Sequence, residues 1–118
     1  MKLSYEGIGQ WAATFACGEV EEGEIVKVSA NGTVDACQAG DGFCGMVLSV
    51  SRCADACTVA LGGMVTAGYT VPAQGAAPAL GWSGLAADGS GGVQASAGGR
   101  SCLVVDVDES AKTVTFVL

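Results

Sequence analysis

Residues 24–37, EIVKVSANGTVDAC, decide how the chain folds. From Glu24 to Ala30 apolar residues recur at every second position, which places Val26, Val28 and Ala30 on one face of an extended segment. Asn31-Gly32 interrupts the run, and Thr33 to Cys37 resumes it. Asn-Gly between two alternating runs is the strongest two-residue hairpin signal, because a type I′ turn needs positive φ at both central residues. The stretch predicts two antiparallel strands.

The same period extends outward. Phe43 to Ser51 (FCGMVLSVS) aligns Cys44, Met46, Leu48 and Val50, and Ala56 to Leu61 aligns Cys57, Val59 and Leu61. Gly62-Gly63 ends that run, and Met64 to Val71 starts another. Pro72 to Pro78 reads as a loop, since proline cannot donate to a ladder. Leu80 to Ala87, around Trp82, reads as a strand, Asp88-Gly89-Ser90-Gly91-Gly92 as a turn, and Val93 to Ser96 as a short strand. Arg100 to Asp108 and Lys112 to Leu118 read as a terminal hairpin about Glu109-Ser110-Ala111, with Val114, Phe116 and Leu118 inward. Gly9 to Cys17 is the one stretch that reads equally as a short helix. The expectation is an all-β fold: one small domain over residues 1–118, a barrel or sandwich of about eight to ten short strands, with residues 1–10 as a possible arm.

Composition narrows the function classes. Half of the 118 residues are apolar, enough for a packed core, and the 19 glycines are about twice the usual share, without a collagen period. Net charge is −7, and Lys2, Lys27, Arg52, Arg100 and Lys112 are scattered singly. Nucleic-acid binding needs clustered cations against phosphate, so neither nucleic acid nor an anionic membrane is an expected partner. No apolar stretch follows Met1-Lys2, so no signal peptide is expected, and no run is long enough for a membrane-spanning helix.

Candidate chemistry is sparse. The chain has no histidine, which removes the commonest general base and the usual imidazole ligands of zinc. Cys53-Ala54-Asp55-Ala56-Cys57 is a C-x3-C, but its spacing to Cys37 and Cys44 is not that of paired zinc knuckles. Cys44, Cys57 and Cys102 sit inside apolar runs, where free cysteine acts as a small hydrophobe. Asp106 and Asp108 would share one face of a strand; the reading favoured is a solvated rim beside a turn, over an acid/base pair or a calcium site completed by Asp88 or Glu109. Gly7-Ile8-Gly9-Gln10-Trp11-Ala12 matches a dinucleotide fingerprint only on paper, lacking a preceding strand and a βαβ unit. No catalytic residue, cofactor or metal is therefore expected. Tyr5, Trp11 and Trp82 are the candidate interface residues, because tyrosine and tryptophan anchor protein contacts, although Trp82 serves equally well as core.

Three stretches carry a family likeness: Gly18 to Ala30 (GEVEEGEIVKVSA); Gly42 to Val47 (GFCGMV) with Val59 to Val65 (VALGGMV); and Leu80 to Gly91 (LGWSGLAADGSG) with Arg100 to Asp108 (RSCLVVDVD). The chain resembles the small phage and prophage proteins of the head-decoration type. The resemblance implies a non-enzymatic β-barrel on the outer capsid surface, often a trimer, that clamps joints of the major coat protein. It implies synthesis in the bacterial cytoplasm and residence on the virion surface. Residues 1–10 would then add a strand to an exposed edge of the coat protein. The cysteines depart from the family, whose members are usually cysteine-poor. The alternative is a small bacterial β-barrel binding module holding an unknown ligand with Pro72 to Pro78 or Gly89 to Gly99; an enzyme built on Asp106 and Asp108 is the weakest reading.

Overall fold

A strand that is apolar on both faces needs a core on each side, and this chain provides two. The computed structural model describes residues 11–118. Among them ten strands follow in order: β1 (Trp11–Cys17), β2 (Ile25–Ala30), β3 (Thr33–Ala36), β4 (Gly45–Val50), β5 (Ala56–Gly62), β6 (Met64–Gly68), β7 (Gly81–Ala87), β8 (Val93–Ala95), β9 (Arg100–Asp108) and β10 (Thr113–Val117). The first five close into a barrel in the order β1-β3-β2-β4-β5, and the last five form a sheet in the order β6-β10-β9-β7-β8. Neighbours are antiparallel except β1 and β3. The expected all-β class, the barrel and the strand number are all present.

One core is made by the barrel alone: Val26, Val34, Val47, Cys57 and Val59 are buried together, with Phe15, Cys17 and Leu61 against them. The other joins the barrel to the second sheet. Ile25 and Ala60 meet Val65, Leu85, Val104, Val114 and Phe116 there, with Met46 and Leu48 packed alongside. Consecutive residues of one barrel strand therefore serve different cores: Ile25 one and Val26 the other, Met46 one and Val47 the other. Side chains alternate across a strand, so the two-sided burial follows directly.

The two halves are stitched by backbone hydrogen bonds, with Ile25 N donating to Gly91 O at 2.9 Å, Gly40 N to Ala87 O at 2.9 Å and Ala87 N to Asp41 O at 3.0 Å. Phe43 packs edge-on against Phe116 at 6.0 Å between centroids, and the Arg100 guanidinium lies 5.6 Å from the Phe43 ring centroid. Such aromatic contacts add about 0.5–1.5 kcal/mol beyond area burial. The barrel has no free edge. In the second sheet a parallel bridge between Tyr69 and Val93, with Thr70 N donating to Val93 O at 3.0 Å, ties the chain just past β6 to β8. Exposed strand edges invite unwanted pairing, and this tie protects part of one.

Several local expectations are corrected. The Gly9 to Cys17 stretch is not helical where it is described: Trp11–Cys17 is β1, paired antiparallel with β5 and parallel with β3. Its Ala13, Phe15 and Cys17 are half-buried and the residues between them exposed, a period of two that decides against its alanine content. The Asn31-Gly32 hairpin exists, but not as a type I′ turn, because Gly32 alone has positive φ (+64°). A bulge between Val28 and Ala30 precedes the turn, and Val28 is 55% exposed while Val26 is buried. In β4 a second bulge, between Val47 and Ser49, splits the expected face. Met46 and Leu48 face the shared core, while Cys44 and Val50 pack in the barrel.

Candidate functional site

The terminal hairpin forms as expected, with Val114 and Phe116 buried and Leu118 packed against the same core. Its other face carries the feature of most interest. Directly opposed residues of an antiparallel sheet share a face, and the registers pair Trp82 with Leu103, Leu103 with Val117, and Val117 with Met64. The four side chains form one apolar row across β7, β9, β10 and β6. At the usual strand spacing the row is about 14 Å long. Their chain neighbours Cys102, Val104, Phe116 and Val65 are buried against the barrel, so the row faces outward. Trp82 is 74% exposed, and Leu103, Val117 and Met64 are half-buried.

Trp11 is the other exposed tryptophan. It pairs with Gly62, and its indole lies so close over that glycine that any Cβ there would collide with the ring. Gly62 is two residues before Met64, where the row ends, and Trp11 is 62% exposed. Of the expected interface residues, Trp82 stands in solvent at one end of the row, Trp11 is exposed on the barrel strand β1, and Tyr5 lies outside the described residues. Sequence reading singled out the tryptophans but missed Leu103, Val117 and Met64. The Leu103–Val117 pairing was implicit in the terminal hairpin; the pairings to β6 and β7 had no local signal.

Beyond the row the face turns polar. Thr115 lies opposite Thr66 on one side and Asp106 on the other, with the two threonine Oγ1 atoms 2.8 Å apart. Asp108 follows, opposite Thr113. Asp106 and Asp108 are both exposed, on the solvated rim expected for them. Asp108 is occupied locally: its Oδ1 accepts from Ala111 N and Ser110 N at 3.1 Å and from the Ser110 hydroxyl at 2.8 Å. These bonds hold its carboxyl below the usual range, that from Ala111 foremost. Among the described residues no group of three or more histidine, cysteine, aspartate or glutamate side chains is placed to hold a metal ion.

A second feature is an open groove of about 320 Å³ between the β7–β8 turn and the approach to β2, lined by Glu22, Glu24, Tyr69, Thr70, Asp88 and Lys112 among others. Asp88 organises it. Its Oδ1 accepts from Ser90 N at 2.7 Å, Gly92 N at 3.0 Å and the Ser90 hydroxyl at 3.0 Å, and its Oδ2 from the Thr70 hydroxyl at 2.8 Å. Burial pushes this carboxyl up, but those donors outweigh it and leave it below the ordinary range. The Lys112 ammonium sits 5.6 Å from the Tyr69 ring centroid. The groove takes in part of the Gly89 to Gly99 segment, whereas Pro72 to Pro78 lies outside its lining.

All six cysteines are unpaired. Cys57 and Cys102 are buried, as their apolar runs predict, and Cys44 is half-buried. Burial, together with a hydrogen bond to the Cys17 thiol, pushes Cys57 up to about 11. Cys53, the other end of the C-x3-C, is exposed in the turn before β5. A scan against protein-family models finds no match to the chain, and neither does a search of curated proteins.

Proposed function

We propose that this chain is a non-enzymatic structural protein of the head-decoration type, which binds the outer surface of a phage or prophage head and stabilises it. The observation that carries this reading is the outward row Trp82–Leu103–Val117–Met64. A lone exposed apolar residue is ordinary, but a row led by a tryptophan that stands 74% in solvent is the kind of surface that anchors a protein contact. The likeness of residues 18–30, 42–47, 59–65, 80–91 and 100–108 to that family supplies the setting. The major coat protein is the proposed partner, a trimer the proposed form, and bacterial cytoplasm followed by the virion surface the proposed location. Each contact can be weak, because repetition over a lattice multiplies it. Net charge −7 suits an outer face better than one turned toward packaged DNA. Residues 1–10 are proposed to pair with an edge of the coat protein.

The test is to co-express the chain with the coat gene of its own genome and pellet the assembled shells. Wild-type protein is expected to co-pellet stoichiometrically, and W82S to lose about tenfold or more of that binding. Wild-type protein that stays in the supernatant with well-formed shells overturns the reading. The second reading, a binding module, is favoured by the groove at Asp88 and Tyr69. It predicts a small polar ligand that protects Lys112 from acylation without touching Trp82.

A further inference from the structure

We infer that the outer face of the second sheet docks a protein surface presenting an apolar strip bordered by lysine or arginine, and not a second copy of this chain. The inference rests on reading the row as the working surface and specifies what the partner must look like.

The argument is one of charge and area. Along β9 Leu103 is followed, past a bulge at Val105, by Asp106 and Asp108; along β10 Val117 and Thr113 flank Thr115, which is itself buried and bonded to Thr66; along β6 come Met64, Thr66 and Gly68. The face is apolar at one end and acidic at the other, and none of these positions is a lysine or arginine. The described cations are elsewhere. Lys27 pairs with Asp41 at 2.6 Å, Arg100 is turned toward Phe43 and donates to Cys44 O at 3.4 Å, and Lys112 covers Tyr69 at the groove. Arg52 lies in the turn between β4 and β5 of the barrel. Among the described residues the exposed Asp106 side chain has no hydrogen-bond or ion-pair partner, so its charge is available to a partner.

A second copy meets this face badly. Full overlap sets the aspartates of two acidic chains near one another with no described cation between them. An overlap that keeps the aspartates apart leaves only row against row. That is four side chains per copy, three of them already half-buried, short of the roughly 800 Å² per partner that a stable interface needs. A partner with cations just beyond its own apolar strip, facing Asp106 past the bulge at Val105, satisfies both ends at once. Trp82 supplies the anchor and Asp106 the register. Any self-association then uses another surface.

Two octapeptides of alternating residues, leucine–lysine and leucine–glutamate, serve as probes of the full chain at low salt. The readout is the indole N–H resonance of Trp82, separated from that of Trp11 with W11F. The leucine–lysine peptide is expected to shift Trp82 saturably and to bind about tenfold tighter than the leucine–glutamate peptide. W82S should weaken it about tenfold, and D106K should reverse the preference between the peptides. Both replaced side chains are exposed, and an unchanged amide spectrum away from the face checks the fold of each variant. Equal binding of the two peptides, a preference that survives D106K, or a Trp82 resonance that moves with the chain's own concentration overturns the inference, the last by giving the face to a second copy. The shell experiment separates the failures. Shell binding that is lost in W82S but indifferent to D106K removes the basic partner and leaves decoration standing. Charge-selective peptide binding without shell binding does the reverse.

Discussion

Replacing Asp88 with alanine tests how the second sheet is held closed and how its groove is shaped. The carboxylate receives four donors: Ser90 N, the Ser90 hydroxyl, Gly92 N and the Thr70 hydroxyl, all at 2.7–3.0 Å. Thr70 belongs to the segment bridged to β8, so this one side chain ties the β7–β8 turn to the chain leaving β6. In Asp88→Ala the exposed hydroxyls turn to water, while the part-buried Gly92 N–H loses its partner. A bond to a charged acceptor contributes about 1.5–3 kcal/mol, and bonds sharing one acceptor group are not additive. The expected loss is therefore about 2–3 kcal/mol, or roughly 8–12 °C in Tm for a domain of this size. Urea unfolding followed by tryptophan emission measures it, with the m-value unchanged. The pH dependence has a definite sign. The Asp88 pKa is lowered in the folded state, so its contribution is complete above the unfolded value of about 3.9 and is lost as pH falls through the folded one. The gap between wild type and Asp88→Ala should narrow below about pH 4. A variant within about 0.5 kcal/mol of wild type at neutral pH, or a gap that stays constant into acid, refutes the reasoning.

Gly45→Ala is expected to destabilise by about 3 kcal/mol, because a Cβ there runs into the Ala60 carbonyl across the β4–β5 pair; chemical denaturation should show it, and a neutral result would mean the pair can spread. Phe116→Ala should cost about 3–5 kcal/mol, since it empties the centre of the shared core and removes the Phe43 contact; calorimetry reads it as a fall in Tm. Cys53 should react first with a disulfide reagent at mildly alkaline pH, and C53S should abolish the fastest phase, whereas Cys57, buried and pushed up to about 11, should react only on unfolding.

What the sequence made legible was local. Every strand from Thr33 onward begins or ends within a few residues of where alternation and glycine place it, because period two is a property of the strand itself. The hairpin of β9 and β10 was readable for the same reason: its turn is flanked by its own strands. Two kinds of feature were not. The bulge after Val47 shifts which residue of β4 faces which core, and it arises from fitting neighbouring strands around a closed barrel, which nothing in GMVLSV announces. The parallel pairing of β1 with β3 was equally hidden, because it closes the barrel between strands that are not consecutive.

The apolar row belongs to the second kind, yet its composition argues that it is not a by-product of the fold. Outward positions of the same three strands, one step along, are Thr66, Thr115 and Asp106. Thr66 and Asp106 are exposed and the buried Thr115 is satisfied by its hydroxyl bond to Thr66, so the sheet tolerates polar residues on this face. Nothing in the registry of β6, β9 and β10 demands methionine, leucine and valine at the next step. Nor does β7 demand a tryptophan held largely in solvent. The shared core lies on the opposite face and gains little from them. An apolar choice that folding does not need, repeated on four adjacent strands and bordered by aspartates instead of cations, is what a surface shaped for an outside partner would look like.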